Sequence, residues 1–269
     1  MVGAIIGDIV GSIYEFYSIK SEDFPLFTPG SRFTDDTVMT IAVAEALMTK
    51  WNTDYELERN FINSLQKYGR LYPYAGYGGM FREWIHSTEP KPYNSYGNGS
   101  AMRVSSIAWR FNTLEEVEKY AAISAKVTHD HPEGILGAVI VAGCIYLARN
   151  YDKNKIVQYV KENSNYNIDR HIADIRQDYK FDETCQGSIP EAIIAFLESE
   201  SFEDAIRKAV SLGGDSDTLA AITGSIAEAY YPPISFEIIY EMISKLDERL
   251  INFLKNLRLE PYRYTSHNF

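Results

Sequence analysis

The sequence predicts an all-α fold, a single domain over residues 1–269 that is larger than a four-helix bundle. Three observations carry this expectation. Apolar residues recur at helical spacing through most of the 269 residues. Strand signals are few, and no Asn-Gly hairpin joins two alternating runs. No linker, solenoid-length repeat or low-complexity tract divides the chain.

Helices are expected at 2–16, 37–49, 54–68, 79–87, 100–109, 114–127, 133–149, 153–162, 189–199, 202–211, 217–230 and 236–255. The intervening stretches 17–35, 70–78, 88–99 and 163–187 are rich in Pro, Gly, Asn, Ser or Tyr and are expected loops. In the first helix Gly3, Gly7 and Gly11 recur every fourth residue and make a smooth stripe. Each glycine costs about 1 kcal/mol against alanine in a helix interior, so three in register predict the close approach of another helix. Asp8, Ser12 and Glu15 form a second, polar stripe, which on so apolar a helix is expected to face a cavity. The longest apolar run, "ILGAVIVAGCIYLA" (Ile135 to Ala148), is 14 residues. That is too short to span a bilayer and suits a buried core helix.

Composition narrows the function classes. An apolar fraction of 45%, with 20 Tyr and 13 Phe, is ample for a substantial core. A net charge of −11 without a basic cluster argues against a grip on bare nucleic acid. The apolar start "MVGAIIGDIVGSIYEFY" has no basic n-region and is interrupted by Asp8, so it does not resemble a signal peptide. Cys144 and Cys185 suggest neither a zinc site nor a disulfide framework, and the expectation is a monomer in a reducing cytoplasm, off the membrane.

The chemistry concentrates at two helix starts. "LGGDSDTLAAITGSIAEAY" (Leu212 to Tyr230) places Asp215, Ser216, Asp217 and Thr218 at the mouth of a helix. Capping and the helix dipole explain one such residue, not four. About 180 residues upstream, "RFTDDTVMTIAVAEALM" (Arg32 to Met48) sets Thr34, Asp35 and Asp36 before another apolar helix. If both N-termini meet at one cavity, four carboxylates and two hydroxyls converge, and Glu15 could add a fifth carboxylate. Two unit charges 4 Å apart repel by about 4 kcal/mol at an effective dielectric near 20. Either protons or cations must therefore be bound, and an all-oxygen donor set suits Mg²⁺ or Mn²⁺. A two-metal site can activate water and orient a polyhydroxy or phosphate-bearing substrate.

Two glycine-bearing segments supply anion-friendly backbone. "YAGYGGMFREW" (Tyr74 to Trp84) puts Gly76, Gly78 and Gly79 just before a helix, and "NSYGNGSAMRV" (Asn94 to Val104) leads into another. A Gly-rich turn is more often only a turn, but two such loops would suit a diphosphate. His129 and His131 in "THDHPEG" lack a third soft ligand, so rim hydrogen bonding or helix capping outweighs a zinc role.

These residues resemble the ADP-ribosylglycohydrolases, also called ADP-ribosyl-acceptor hydrolases, over nearly the whole chain. "GDIVGSIYE" is similar to the family's opening helix, and "FTDDT" and "GGDSDT" to its two metal-binding motifs. "GYGGMF", "SYGNGSAMRV" and the Thr128-His129 pair resemble its ligand loops in the same order, and "CQGSIPEAIIAFL" a further segment. The resemblance implies an orthogonal all-α multi-helix bundle with two Mg²⁺ or Mn²⁺. It implies Thr34, Asp35, Asp36, Asp215, Asp217 and Thr218 as metal ligands, and a catalytic role for Glu15 and Asp36. It also implies Gly76, Gly78 and Gly79 on the diphosphate, with Ser95, Tyr96, Asn98 and His129 at the phosphates and ribose.

The expected reaction is hydrolysis at the anomeric carbon of the distal ribose, through an oxocarbenium-like transition state. Its substrate would be an ADP-ribosylated protein or small ADP-ribose derivative, with nucleic acid only as a modified acceptor. "YGNGSAMRV" is more like the serine and O-linked branches, including O-acetyl-ADP-ribose, than the arginine branches. The alternatives are an ADP-ribosylarginine hydrolase, a two-metal phosphohydrolase cutting the pyrophosphate, a non-catalytic ADP-ribose-binding module and a purely structural helical protein.

Overall fold

The computed structural model describes residues 1–257, so the 258–269 end of the expected domain and His267 lie outside the described residues. Its helices are α1 (Val2–Gly11), α2 (Asp35–Met48), α3 (Asp54–Leu71), α4 (Gly79–His86), α5 (Gly99–Met102), α6 (Ser105–Arg110), α7 (Leu114–Lys126), α8 (Pro132–Ala148), α9 (Lys153–Asn163), α10 (Ile172–Asp178), α11 (Cys185–Leu197), α12 (Phe202–Ser211), α13 (Ser216–Tyr230), α14 (Phe236–Ser244) and α15 (Glu248–Lys255). No strand forms among the described residues; a single isolated bridge pairs Gly97 with Thr184. The all-α expectation is borne out.

The centre is set by glycine. Every residue of α1 is buried, as is all of α13 except Tyr230. A Cβ on Gly3, Gly7 or Gly11 would stand 2.2, 2.0 or 2.4 Å from the carbonyl oxygens of Gly224, Ala220 and Ser216. The two backbones therefore touch along their length, running antiparallel, and only glycine fits that spacing. The predicted close approach is real, and α13 is the partner. Further out, α13 also packs on α12, α11 and α8, while α2 packs on α3. The antiparallel pairing brings the last turn of α1 against the first turn of α13.

Several boundaries differ from the sequence expectation. The first helix stops at Gly11 rather than 16, because Tyr14 N–H turns back to Gly11 O (2.8 Å) and Ser12 Oγ donates to Ile9 O (2.9 Å). Glu15 thus lies in a turn beyond α1, not on its polar face. The expected helix 100–109 is two pieces, and 236–255 is broken by Asp247, whose carboxylate caps α15 through Leu250 N–H (2.9 Å). α10 falls inside an expected loop; only Ile172 and Ile175 bury its face, too weak a period to read. α11 starts four residues before 189, capped by Thr184 (3.1 Å to Gly187 N), and carries Pro190 inside it.

Candidate metal centre and ligand loops

Asp8 is the hub around which the first acidic motif folds. It sits fully buried in α1, where Thr34 N–H (2.9 Å), Thr34 Oγ1 (2.6 Å), Thr37 N–H (3.0 Å) and Thr37 Oγ1 all donate to its carboxylate. Thr34 at the same time caps α2 by accepting from Asp36 N–H (3.3 Å). Asp35 N–H reaches across to Ala75 O (2.9 Å) and ties this helix start to the glycine loop.

The second motif arrives through a turn that needs glycine: Gly213 and Gly214 have φ of +70° and +73°. Asp215 occupies the N-cap position of α13 without making a capping bond. Its Oδ2 accepts instead from Asn98 Nδ2 (2.7 Å), which also donates to Ser188 Oγ (3.2 Å). Thr218 Oγ1 donates to Asp36 Oδ2 (3.2 Å), which joins the two motifs directly. One carboxylate oxygen each from Asp8, Asp36 and Asp217 lie within 4.8 Å of one another, all three residues buried. Asp36 Oδ1 has no hydrogen-bond partner among the described residues.

Such a cluster is electrostatically incomplete. Burial first, then mutual repulsion with Asp217 and Asp8, pushes Asp36 well above the usual carboxylate range. Asp217 is raised by burial and then by Asp215, and Asp35 by burial and then by Asp217. Asp8 is raised by burial against the pull of its four donors. Asp215 is pushed up to about 6, burial outweighing the Asn98 bond. Half-buried Glu15 is pushed up to about 7 by burial, then by Asp217, with Arg32 opposing. Buried, oxygen-only and short of positive charge, with one orphaned oxygen aimed inward, these residues fit a hard divalent cation.

The two glycine-bearing segments meet this centre at Gly76 and Asn98. Gly76 has φ +119°, and a Cβ there would stand 3.0 Å from Asp35 Oδ1. Gly78 and Gly79, at the start of α4, have nothing within 4 Å of where a Cβ would be. Ser95 Oγ accepts from Gly97 N–H (3.1 Å) inside its own loop. Tyr96 is about half exposed, its ring edge-on to His131 at 5.4 Å. His131 caps α8 by accepting from Glu133 N–H (3.1 Å), which accounts for it without a metal. His129 is buried, bonded to Thr128 Oγ1 through Nδ1 (2.7 Å), and held well below its ordinary pKa by burial and by Arg103.

All four motif aspartates, both threonines and Glu15 thus come together, and Asn98 reaches the carboxylates rather than standing only among the loop residues. Sequence reasoning missed Asp8 as part of the cluster, although a carboxylate inside a glycine-striped apolar helix was a signal for it. Arg103 and Ser188 gave no signal beyond their place in quoted stretches.

An all-α bundle thus brings two acid-bearing helix starts into one buried cluster that could hold metal ions. The family model described as ADP-ribosylglycohydrolase matches residues 1–250, and the chain belongs to that family of glycosidic-bond hydrolases. The mouse (Mus musculus) ADP-ribosylhydrolase ARH3 is 27% identical, covering 86% of this chain and 82% of that protein. The human (Homo sapiens) ADP-ribosylhydrolase ARH3 is also 27% identical, over 86% and 84%. The ADP-ribosylarginine hydrolase Tri1 of Pseudomonas putida (strain GB-1) is 24% identical over 86% of this chain and 69% of that protein. A solved structure described as an ADP-ribosylglycohydrolase-related protein complex matches with a TM-score of 0.64 and 21% identity, over 91% of this chain and 95% of that one, and shows the fold. Among the described residues no helix is long and apolar enough to cross a membrane.

Proposed function

We propose that this chain hydrolyses the glycosidic bond between the distal ribose of ADP-ribose and an O-linked acceptor, serine-type or O-acetyl. The observation that supports it most is the buried Asp8–Asp36–Asp217 cluster with its orphaned Asp36 oxygen. Two Mg²⁺ or Mn²⁺ would be held by Thr34, Asp35, Asp36, Asp215, Asp217 and Thr218, with Asp8 added to that set. Bound there, divalent ions would neutralise the carboxylates and act as Lewis acids toward ribose hydroxyls and water.

The chain's own groups supply the rest. Glu15, near neutrality and at the edge of the cluster, is suited to take or give a proton at the reacting centre. Asp36 would serve the centre catalytically as one of its ligands. Open space before Gly78 and Gly79 leaves their backbone N–H groups approachable by the diphosphate. Gly76 would lie on the same diphosphate, while Ser95, Tyr96, Asn98 and His129 line the sugar and phosphate side. We place the enzyme in the cytoplasm as a monomer, with this single domain as its working unit.

The O-linked preference rests on the "YGNGSAMRV" resemblance and on the stretch "GYGGMFREW", whose one acid, Glu83, is exposed on α4. The likeness to Tri1, named as an arginine hydrolase, favours a second reading with an N-glycosidic substrate. Serine- and arginine-linked ADP-ribosyl peptides, incubated with the enzyme and Mg²⁺ and resolved by mass, decide between them. Release of ADP-ribose from the serine peptide is expected. Release from the arginine peptide alone overturns the linkage, and AMP as product overturns glycosidic cleavage.

A further inference from the structure

Arg103 is fully buried, and its neighbours are unusual for a charge. It follows α5, lies 5.9 Å from the Phe81 ring centroid, and donates through Nη2 to Ser124 O (3.2 Å) and Thr128 Oγ1 (2.8 Å). Its Nε has no hydrogen-bond partner among the described residues. A cation kept here at such desolvation cost invites a role beyond packing.

The role is legible in the next bond. Thr128 Oγ1 accepts from Arg103, so its single proton must go elsewhere. Its neighbours are His129 Nδ1 at 2.7 Å, Ala125 O at 3.5 Å and the Tyr93 hydroxyl. Given to Nδ1, that proton makes the shortest of these contacts, and the ring's own proton then sits on Nε2. Nε2 faces the loop that carries Gly97 and Gly99, where added Cβ atoms would stand 3.8 and 3.2 Å from it. Without side chains at those two positions, the loop backbone can lie close to that nitrogen.

We propose that Arg103 and Thr128 are positioning residues that lock His129 as the Nε2–H tautomer, a neutral donor aimed across Gly97 and Gly99 at an oxygen of bound ADP-ribose. This rests on the reading that the 94–104 loop takes ADP-ribose. Burial, and then the positive charge of Arg103, keep the ring from gaining a second proton and hold His129 well below its ordinary pKa. An imidazolium would reverse the Thr128 bond, since a protonated Nδ1 can only donate, and would leave the hydroxyl proton the longer contacts.

The test is the ¹⁵N spectrum of histidine-labelled protein, with His129 assigned by comparison with His129→Gln, and ADP-ribose affinity measured alongside in Mg²⁺. Wild type should show Nε2 protonated and Nδ1 bare. Thr128→Val, which keeps the shape and removes the hydroxyl, should mix the tautomers and weaken ADP-ribose by about three- to tenfold. Thr128→Ser should restore both. A wild-type spectrum with the proton on Nδ1 overturns the proposal without any variant, and so does an unchanged His129 signature in folded Thr128→Val. A signature that moves while ADP-ribose affinity stays at the wild-type value supports the relay but overturns the placement of ADP-ribose over the glycines.

Discussion

The starts of α2 and α13 carry the same residue types and use them differently. At α2, Thr34 has the extended backbone of a capping residue (φ −121°, ψ −164°) and accepts from the first turn while donating to Asp8. At α13, Asp215 has φ −74° and ψ 70°, makes no cap, and gives its carboxylate to Asn98. The first start is braced by α1; the second is drawn outward by the 94–104 loop. Local capping propensity is worth about 1 kcal/mol, so a charge-assisted bond to a tertiary partner can override it. A Thr-Asp-Asp and an Asp-Ser-Asp-Thr therefore become, respectively, a wall bonded to α1 and a wall tied to the 94–104 segment.

The largest effect should come from removing the acids that the two walls share. Asp36→Asn and Asp217→Asn should each cost more than the roughly 10–100-fold typical of losing a metal's outer-shell partner. Their Mg²⁺-induced rise in melting temperature should also shrink. Full activity in chelator, with no metal-induced shift in wild type, would show that the walls enclose no working metal.

Next comes Glu15, which belongs to neither wall. Glu15→Gln keeps size and hydrogen bonding but removes the titratable proton, and should lower single-turnover ADP-ribose release by at least about 100-fold. Binding of ADP-ribose and Mg²⁺ should persist. A destabilised mutant with a normal rate per folded molecule would make the residue structural.

Two glycines then separate packing from ligand approach. Gly7→Ala drives a Cβ to 2.0 Å from Ala220 O, and backbone cannot give way, so a loss of at least about 1–3 kcal/mol is expected by denaturant unfolding. Because α1 would lift from α13, the metal-induced stabilisation should fall with it. Gly78→Val meets nothing within 4 Å and should melt as wild type does while binding ADP-ribose more weakly by calorimetry. Wild-type affinity in that mutant would make the 76–79 stretch merely a turn.

The smallest effects test the two walls themselves, by melting metal-free protein. Thr34→Val should lower stability by about 1–2 kcal/mol, having lost a cap and a donor to buried Asp8. Asp215→Asn removes one charge from a crowded cluster and should leave metal-free stability equal or higher. Its pH response follows from linkage. Folded values of about 6 for Asp215 and about 7 for Glu15 lie above the ordinary carboxylate range. The raised groups favour folding fully below their unfolded values and lose that contribution as pH rises through the folded ones. Metal-free wild type should therefore melt lower at about pH 8 than at about pH 5, Asp215→Asn should flatten the slope, and Mg²⁺ should restore most at high pH. A melting point that rises over that interval would contradict the crowding.

The sequence by itself determined the helical class, most helix positions, the contact face of α1 and the two acid-bearing helix starts. Each of these is written in local pattern: period 3.6, glycines at four-residue spacing, and more polar side chains at a helix mouth than capping requires. Even the failures follow from locality. α10 was missed because two buried isoleucines make no readable period, and the first helix was drawn too long because Ser12 and Tyr14 end it through backbone turns. Only the tertiary structure decided that Asp8 stands at the hub, that Asn98 binds Asp215 and that Arg103 reaches Thr128. Those contacts join residues 26, 117 and 25 positions apart. They depend on how distant helices and loops pack against one another, and no local pattern encodes which distant group that packing will bring within reach.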